Sequence, residues 1–372
     1  MYFVGGFLGS GKTTAIAGAC SLLIAEGKRV GVVTNDQGKL QVDSLFMRSS
    51  GLPSVEVGGG CFCCRYDDFD ARVSALIERE LPDAVFAESV GSCADIVATV
   101  VKPFEAFRER YGAGSVFSVF ADSRLLLARL SGRRLPFSED VLYLFDRQLE
   151  EADILVLNKR DLLAEADRAK LSALAASARP DKELLEISGS TEEGARAWLA
   201  AMEAPVFRGE RASLEIDYAR YGAGERELAW LDERLVIEDR GGLSSDGGRC
   251  RRAVADFVLR FAEALSKASL SVGHLKLHVS AGSYEGKISL SSGDFLSGSE
   301  GVESLVAAQL PLFSTRRAVV AVNARVQAGP EELAALAGAA VESARRSAGI
   351  AIAEEDRSAF RPGIPEPTHR MA

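Results

Sequence analysis

Three cysteines fall within four positions of one glycine-rich stretch. The stretch reads GGGCFCC and places Cys61, Cys63 and Cys64 around Phe62, which is half of the six cysteines in the chain. Because Cys61 and Cys63 alternate past Phe62, their sulfurs can face one point, and Cys64 could supply a third. Arg65 follows in the chain and could lower the pKa values of the thiols, which favours the thiolate form that binds metal. Thiolates suit Zn²⁺ and similar ions, so we predict a transition-metal site, with Zn²⁺ or Co²⁺ as the expected ion.

Two other interpretations of this cysteine cluster stay open. The thiols could form a redox switch, although a bridge between the adjacent Cys63 and Cys64 would be strained. They could also be small buried side chains, since free cysteine is among the most buried residue types. We favour that second interpretation for the isolated Cys20 and Cys250. For Cys93 we also favour a core position, with an auxiliary metal ligand as the alternative.

A second chemical pattern lies at residues 6–13, which read GFLGSGKT. It matches the G-x-x-x-x-G-K-[ST] phosphate-binding loop, and it stands between a short apolar strand and a helical segment, as that loop requires. Backbone N–H groups and the helix N-terminus would bind phosphate oxygens. Lys12 is expected to reach the β and γ phosphates and to act in catalysis, and Thr13 is expected to bind Mg²⁺. The expected nucleotide contacts in this loop are Gly6, Gly9, Ser10, Gly11, Lys12, Thr13 and Thr14.

An acidic residue ends the apolar run DAVFAE, which reads as a buried parallel strand. The carboxylate of Glu88 would emerge at the carboxyl edge of the sheet, where ligands of open α/β folds bind. We predict that Glu88 contributes to the Mg²⁺ site or orients the attacking water. The alternative is a solvated glutamate at the end of a strand.

A further apolar run, ILVLN, delivers the sequence NKRD. In this pattern Asn158, Lys159 and Asp161 would read the nucleotide base, because a carboxylate can accept hydrogen bonds from both the N1–H and the exocyclic amine of guanine, while adenine presents the wrong pattern there. Ser188 ends another predicted strand and could close over the base. The expected nucleotide is therefore GTP.

The elements that position these residues predict an α/β fold. A chain of 372 residues is long enough for two domains. We predict a P-loop domain with a mostly parallel sheet at 1–205, a linker at 206–225, and a smaller α+β domain of ferredoxin-like type at 226–348. Residues 349–372 are rich in proline near their end and predict an extended, mobile tail.

Composition excludes several function classes. Apolar residues make up 47% of the chain, charged residues 26%, and the net charge is -9. Nucleic acids and anionic membranes bind clustered Lys and Arg, so neither is an expected partner. The apolar runs are too short to span a bilayer. We expect a cytoplasmic protein, in which a cysteine cluster binds metal more often than it forms disulfides.

Taken together, these motifs resemble the CobW, HypB and UreG family of metal-handling GTPases, and most of all its CobW-like branch. The likeness rests on GGFLGSGKTT, TNDQGKLQVD, GGGCFCC, AESVG and NKRD. It implies a GTPase that carries a transition metal on Cys61, Cys63 and Cys64 to a client metalloprotein or a cofactor-assembly protein. It also implies that Asp36 and Asp43 lie in a nucleotide-sensing segment and contact Mg²⁺ or its waters. Simple solvation of that loop is the alternative for both residues.

The chain departs from the family pattern at a few positions. Asp36 stands where the family usually has glutamate, and Gln37 replaces an aromatic residue. His274 and His278 would share one face of a strand, where we favour a structural role over metal binding. No residue is identifiable as an arginine finger, which predicts slow intrinsic hydrolysis. A rival function is a GTPase that assembles or activates a cofactor enzyme, such as a corrinoid enzyme, without moving metal. A nucleotide-dependent homodimer also stays open.

Overall fold

The computed structural model describes residues 1–107, 115–204, 211–241, 248–296 and 298–372. The described chain forms two compact units. Unit 1 comprises Met1–Gln37, Ser50–Glu225 and Gly363–Ala372, and unit 2 comprises Gly38–Ser49 and Arg226–Pro362.

Strands and helices alternate through unit 1, because short apolar runs are separated by segments with helical periodicity. In chain order the elements are β1 (Tyr2–Gly6), α1 (Lys12–Ala25), β2 (Val30–Asp36), α2 (Val42–Ser49), β3 (Ser54–Gly58), α3 (Tyr66–Glu80), β4 (Ala84–Glu88), α4 (Lys102–Ala106), β5 (Val116–Asp122), α5 (Ser123–Leu130), α6 (Glu139–Glu151), β6 (Ile154–Asn158), α7 (Glu165–Ala178), β7 (Glu183–Glu186), α8 (Glu192–Glu203) and α9 (Tyr218–Glu227). Of these, α2 belongs to unit 2.

The sheet of unit 1 has seven strands in the order β3-β2-β4-β1-β5-β6-β7 within the described residues. All of its strand pairs are parallel. The central strands are buried along nearly their whole length, as parallel strands covered by helices on both faces must be. Their carboxyl ends meet at one edge, so Glu88 and Asn158, which end β4 and β6, share that edge with the loop after β1. This fold confirms the predicted P-loop α/β class.

Unit 2 is built on an antiparallel sheet of five strands in the order β10-β9-β11-β8-β12. Its elements are β8 (Leu228–Glu238), α10 (Arg249–Lys267), β9 (Ser271–Ala281), β10 (Tyr284–Ser291), α11 (Ser292–Phe295), α12 (Gly298–Gln309), β11 (Arg317–Gln327), α13 (Pro330–Ala348) and β12 (Ala351–Phe360). Without β10, α11 and α12, the elements follow the βαββαβ order of the ferredoxin-like fold. The predicted α+β domain is confirmed, with β10 as an added edge strand.

The core of unit 2 lies between this sheet and two long helices. Phe257 and Phe261 of α10 pack with Leu275 and Leu277 of β9, and all four are fully or almost fully buried. Val341 of α13 joins the same cluster. An amphipathic helix stabilises a sheet by burying its apolar stripe in this way.

The boundaries of the two units differ from the predicted boundaries in three places. Gly38–Ser49 groups with unit 2, because Lys39 and α2 bond to strands of the unit 2 sheet. The predicted linker contains the helix α9, whose Tyr221 is fully buried in unit 1, while residues 205–210 lie outside the described residues. The predicted mobile tail was wrong at its start, since Ala351–Phe360 forms β12 and pairs with β8. The prediction failed because this segment contains many polar residues, and an edge strand can form with few apolar side chains.

None of the described helices combines the length and apolar composition required to cross a bilayer.

Candidate functional site

Glycines shape the phosphate loop between β1 and α1. Gly6 and Gly11 have positive φ angles of 126° and 94°, a region that strongly favours glycine. A Cβ at Gly6 would lie 2.1 Å from the carbonyl oxygen of Phe120, so no side chain fits there. The loop therefore leads directly into the N-terminus of α1, where backbone N–H groups and the helix dipole favour an anion.

Lys12 is buried in this loop and bonds to the loop backbone. Its Nζ donates to the carbonyl oxygens of Gly6 at 2.7 Å and Phe7 at 3.3 Å. The same geometry holds the ammonium over the curl of the loop, where a triphosphate would bind. Ser10 is also buried, and its Oγ has no hydrogen-bond partner among the described residues. A cradle with an orphaned hydroxyl and a buried ammonium fits a phosphate group.

A hydroxyl and a carboxylate meet beside the loop. Thr13 Oγ1 donates to Glu88 Oε1 at 2.8 Å, and both side chains are buried. Asp36, at the end of β2, is a further buried carboxylate at the same edge of the sheet. Oxygen donors of this kind suit Mg²⁺, so the residues present fit the predicted cation.

The NKRD segment takes part in a network that joins it to the phosphate loop. Asn158 Nδ2 donates to the carbonyl oxygen of Ser10 at 2.8 Å, and its Oδ1 accepts from the N–H of Gly189 at 2.7 Å. Lys159 is in the left-handed region with φ 61°, and its ammonium lies 3.1 Å from Asp122. The described geometry thus brings together the segments that the sequence assigned to nucleotide binding.

Asp122 ends β5 and fixes Lys159. Burial raises the pKa of this carboxyl, but Lys159 and Arg124 outweigh that effect and bring the pKa to about 2. The carboxylate is therefore charged at neutral pH, and it holds the ammonium of Lys159 within the NKRD segment.

Asp161 and Ser188 lie together on the more open side of this segment. The N–H of Asp161 donates to Ser188 Oγ at 3.2 Å, and the carboxylate of Asp161 is exposed. Both residues line a pocket of about 290 Å³. An exposed carboxylate beside a hydroxyl is available to accept the N–H groups of a base.

The cysteine loop lies between β3 and α3, and Asn35 of β2 fixes its conformation. Asn35 Nδ2 donates to the carbonyl oxygens of Val57 at 2.9 Å and Gly60 at 2.7 Å, and its Oδ1 accepts from the N–H of Phe62 at 2.9 Å. Phe62 is buried against Phe69 of α3, with ring centroids 4.5 Å apart. One amide therefore ties the loop to the strand that ends at the next residue, Asp36.

The loop brings three thiols to one point. Cys61 Sγ lies 2.8 Å from Cys63 Sγ and 3.2 Å from Cys64 Sγ, and the Cys63 and Cys64 sulfurs are 3.8 Å apart. Within the described residues these atoms form a candidate metal site. All three cysteines are free thiols. They precede the N-terminus of α3, whose dipole favours thiolates.

A fourth thiol reaches the cluster from a distant segment. Cys93 follows β4, is buried, and lies close enough to Cys61 and Cys63 for their thiols to shift its pKa. Gln148 of α6 holds this segment, because its Nε2 donates to the carbonyl oxygen of Cys93 at 2.8 Å. Cys93 is therefore buried, as the favoured interpretation of a core position predicted. It also lies near the sulfurs of the cysteine loop, as the alternative interpretation of an auxiliary metal ligand requires.

Neighbouring thiols shift the pKa values of these cysteines more than Arg65 does. Hydrogen bonds with Cys61 and Cys63 lower the pKa of Cys93 to about 6. A hydrogen bond with Cys61 raises the pKa of Cys64 to about 11. The main causes of these shifts are neighbouring thiols and burial, not the guanidinium that the sequence pointed to. Thiols bind metal as thiolates, so a bound cation would displace the protons of these cysteines.

Asp36 and Asp43 belong to different units of the structure. Asp36 ends β2 in unit 1, whereas Asp43 lies on α2 in unit 2. Lys276 and Lys287 each donate to Asp43 at 2.6 Å. Burial raises the pKa of Asp43, but the two lysines outweigh it and hold the pKa well below its usual value. The Mg²⁺ role of Asp43 stays a prediction, and in this structure its charge is balanced by lysines.

His274 and His278 both lie on β9. His274 Nε2 is 2.7 Å from Asn323 Oδ1, and His278 Nε2 is 3.3 Å from Glu285 Oε2. Burial lowers the pKa of both histidines. These contacts are those of structural side chains, and the metal-ligand group in the described residues does not include either histidine.

Sequence reasoning missed two residues that support these sites. Asn35 lies in the sequence TNDQG. Its polar side chain near the end of a buried strand could have indicated a functional role. Asp122 ends β5 in the same manner as Glu88 ends β4, so the shared strand-end position could have revealed it.

The first half of the chain matches the model of a known protein family. Residues 1–186 match the model described as "CobW/HypB/UreG, nucleotide-binding domain".

Curated relatives match over part of their length. A zinc chaperone CobW from Sinorhizobium sp is 30% identical over 217 residues, which are 53% of this chain and 60% of that protein. The zinc chaperone YeiR from Escherichia coli (strain K12) is 30% identical over 165 residues, 42% of this chain and 45% of that protein. The chain therefore spans less than two thirds of either relative.

A hydrogenase maturation factor and a solved structure are also similar. The factor HypB of Azotobacter chroococcum mcd 1 is 27% identical over 214 residues, 57% of this chain and 61% of that protein. The crystal structure of HypB from Archaeoglobus fulgidus has 18% identity and a TM-score of 0.38, and the match covers 54% of this chain and 86% of that one.

Proposed function

The chain belongs to the CobW/HypB/UreG family as a CobW-like member, and we propose that it is a GTP-hydrolysing metal chaperone that loads and releases a transition metal at its cysteine cluster. The metal is the cargo, and it passes to a client metalloprotein or a cofactor-assembly protein. Zn²⁺ is the expected cargo, because two of the similar proteins are named zinc chaperones and thiolates suit that ion.

The observation that carries the proposal is the position of Asn35. Its side chain makes three hydrogen bonds that hold the cysteine loop, and the next residue in the chain is the buried Asp36. Asn35 and Asp36 are joined by one peptide bond. A movement of Asp36 at the nucleotide edge of the sheet would therefore also move Asn35 and the cysteine loop that Asn35 holds. A chain of bonded residues of this kind can carry coupling between two sites.

Residues of the chain divide the work at the nucleotide edge. Lys12 and the backbone of residues 9–13 bind the phosphates, Asn158 and Asp161 select the base, and Glu88 accepts a hydrogen bond from Thr13. Thr13, Asp36 and Glu88 would hold Mg²⁺, which when bound neutralises charge on the phosphate oxygens. Glu88 is then also suited to orient the attacking water. Slow intrinsic turnover is part of the proposal, because the sequence offers no arginine finger.

The cargo site has up to four sulfurs. Cys61, Cys63 and Cys64 supply three, and Cys93, whose pKa the thiols of Cys61 and Cys63 lower, would supply the fourth. Four thiolates around one point favour tetrahedral Zn²⁺. Cys64 is the most exposed of the three loop cysteines, so it is the sulfur from which transfer to a client would begin.

Metal titration tests the proposal. Zn²⁺ affinity is measured by competition with a chromophoric chelator, once with a non-hydrolysable GTP analogue and Mg²⁺ and once with GDP and Mg²⁺. We expect affinities that differ by about 5-fold to 150-fold, since coupling free energies between sites are typically 1–3 kcal/mol. A Cys61→Ala, Cys63→Ala, Cys64→Ala triple variant is the control, and it should lose the tight site.

Two results would contradict the proposal. Equal affinities with both nucleotides would remove nucleotide control. Absence of tight Zn²⁺ or Co²⁺ binding would remove the cargo and favour the rival, a GTPase that activates a cofactor enzyme without moving metal.

A further inference from the structure

A segment from the far end of the described chain packs against the cysteine loop. This covering segment, Gly363–Ala372, follows β12 in sequence and belongs to unit 1. The N–H of Glu366 donates to Cys64 Sγ at 3.3 Å, and the N–H of Thr368 donates to the carbonyl oxygen of Cys63 at 2.9 Å. Thr368 Oγ1 also donates to the carbonyl oxygen of Cys64 at 3.2 Å. Backbone bonds thus bring the segment to the two adjacent cysteines.

The covering segment is anchored beyond the cysteines by Arg370. Its Nε donates to Asp95 Oδ2 at 2.8 Å, and Tyr218 of α9 donates to the same oxygen at 2.6 Å. Asp95 is fully buried and has a positive φ of 61°. This buried carboxylate therefore holds the covering segment in place through Arg370 in the structure.

Main-chain bonds strengthen this attachment at the neighbouring residue. The N–H of Met371 donates to the carbonyl oxygen of Ala98 at 2.9 Å, and Ser213 Oγ donates to the carbonyl oxygen of Met371 at 2.7 Å. Ala98 lies in the π-helical turn Val97–Val101. The segment therefore bonds to the cysteines near its middle, at Glu366 and Thr368, and to Asp95 and Ala98 farther along, at Arg370 and Met371.

The N–H group of Glu366 has a chemical consequence for Cys64. A thiolate that ligates a metal is stabilised and oriented by N–H donors, and the loss of such supporting donors typically weakens metal binding by about 10-fold to 100-fold. Cys61 and Cys63 are buried, whereas Cys64 is only partly buried. The one loop cysteine that solvent can reach is thus the one that the covering segment bonds through its sulfur.

We infer that Gly363–Ala372 is a removable cover of the cargo site: the N–H of Glu366 positions Cys64, and the segment must lift before an acceptor can take the metal. This inference rests on the proposed function. It assigns the covering segment to retention of the metal and Cys64 to the point of exit. Displacement of the segment by a client is the step that would permit transfer.

A matched pair of substitutions tests the cover. Glu366→Pro removes the N–H donor, while Glu366→Ala keeps it and removes the side chain. Glu366 stands between Pro365 and Pro367, and a residue before proline is already restricted to extended backbone, so proline fits this position. The measurement is the rate at which zinc-loaded protein loses Zn²⁺ to excess chelator. We expect loss about 10-fold to 100-fold faster in Glu366→Pro and unchanged in Glu366→Ala.

A second variant and a second readout keep the test decisive. Arg370→Ala removes the anchor on Asp95 and leaves the Glu366 N–H in place, with the exposed Arg133→Ala as its control. In metal-free protein, alkylation of Cys64 is followed by peptide mass mapping. We expect Arg370→Ala to raise both the rate of zinc loss and the rate of alkylation at Cys64, and Arg133→Ala to change neither.

Each outcome bears on the inference. If the wild type binds no Zn²⁺, the proposed function and the cover both fail. If the wild type binds Zn²⁺ but Glu366→Pro and Arg370→Ala lose it at the wild-type rate, the cover alone fails. Equal acceleration in Glu366→Pro and Glu366→Ala would assign the effect to the carboxylate and overturn the role of the N–H. If circular dichroism finds Glu366→Pro unfolded, Arg370→Ala decides the question.

Discussion

Eight consecutive residues, Gly6–Thr13, build most of the phosphate site, whereas the cysteine site draws on four separate segments of the chain. The cysteine loop supplies three sulfurs, Asn35 supplies its support, and Cys93 and the covering segment arrive from 30 and about 300 positions away. A site made by contiguous backbone is rigid as soon as its strand and helix form. A site assembled from distant segments can respond when any one of them moves, which suits the release of a cargo.

Removal of Lys12 should have the largest effect and should separate the two sites. In Lys12→Ala we expect GTP hydrolysis to fall by about 10²-fold to 10³-fold, because a fixed positive charge at the phosphates is lost. Zinc affinity without nucleotide should not change, since the ammonium of Lys12 bonds to the loop carbonyls of Gly6 and Phe7 and Lys12 is not a member of the cysteine cluster. Phosphate release and chelator competition measure the two quantities.

The exposed Lys28 offers the control for this experiment, and Lys28→Ala should match the wild type in both measurements. A fall in nucleotide-free zinc affinity in Lys12→Ala alone would break the comparison, because the cysteine site would then depend on the phosphate loop itself.

The contrast between the sites also explains what the sequence could predict. The phosphate loop, Glu88 and the NKRD segment are continuous motifs at strand ends, and the parallel order of the strands brings them to one edge. The three loop cysteines were equally visible because they are adjacent. Contacts of Cys93 and Glu366 depend on how distant segments fold back, and no local spacing encodes that.

Boundaries failed for a related reason. Residues 351–360 are polar and read as a tail, but β12 is an edge strand that pairs through its backbone with β8. The side chains of an edge strand need little burial. The alternation of apolar and polar residues that predicts a strand is therefore weak in this segment. Gly38–Ser49 read as part of the first domain because it follows β2 directly in the chain.

The next largest effect is expected at Cys93, and it sharpens the comparison by asking whether a distant segment contributes a ligand. Cys93→Ala should weaken zinc binding by about 10-fold to 100-fold, at least the loss that follows removal of a supporting group. With Co²⁺ as probe, sulfur-to-metal charge-transfer absorption should fall by about a quarter if one thiolate in four is lost.

Cys20→Ala is the matched control, because Cys20 is also fully buried in unit 1 and lies on α1. It should leave both the zinc affinity and the cobalt spectrum unchanged. An unchanged cobalt spectrum in Cys93→Ala would return Cys93 to the small core residue favoured from the sequence.

The smallest effect is expected at Asn35, which touches neither ligand and connects the two sites. Asn35→Ala leaves the N–H of Phe62 and the carbonyl oxygens of Val57 and Gly60 without this amide, at a cost of roughly 1–3 kcal/mol for each group that stays buried and unsatisfied. The loop would then relax relative to β2. We expect the ratio of zinc affinities with GTP analogue and with GDP to fall towards one, while zinc binding itself weakens by about 10-fold or less. Asn35→Asp separates the two roles of the amide, since it keeps an acceptor for Phe62 and removes both donations. If either variant keeps the full nucleotide ratio, control must pass from the phosphate site to the cysteines by another route, and the link through β2 is wrong.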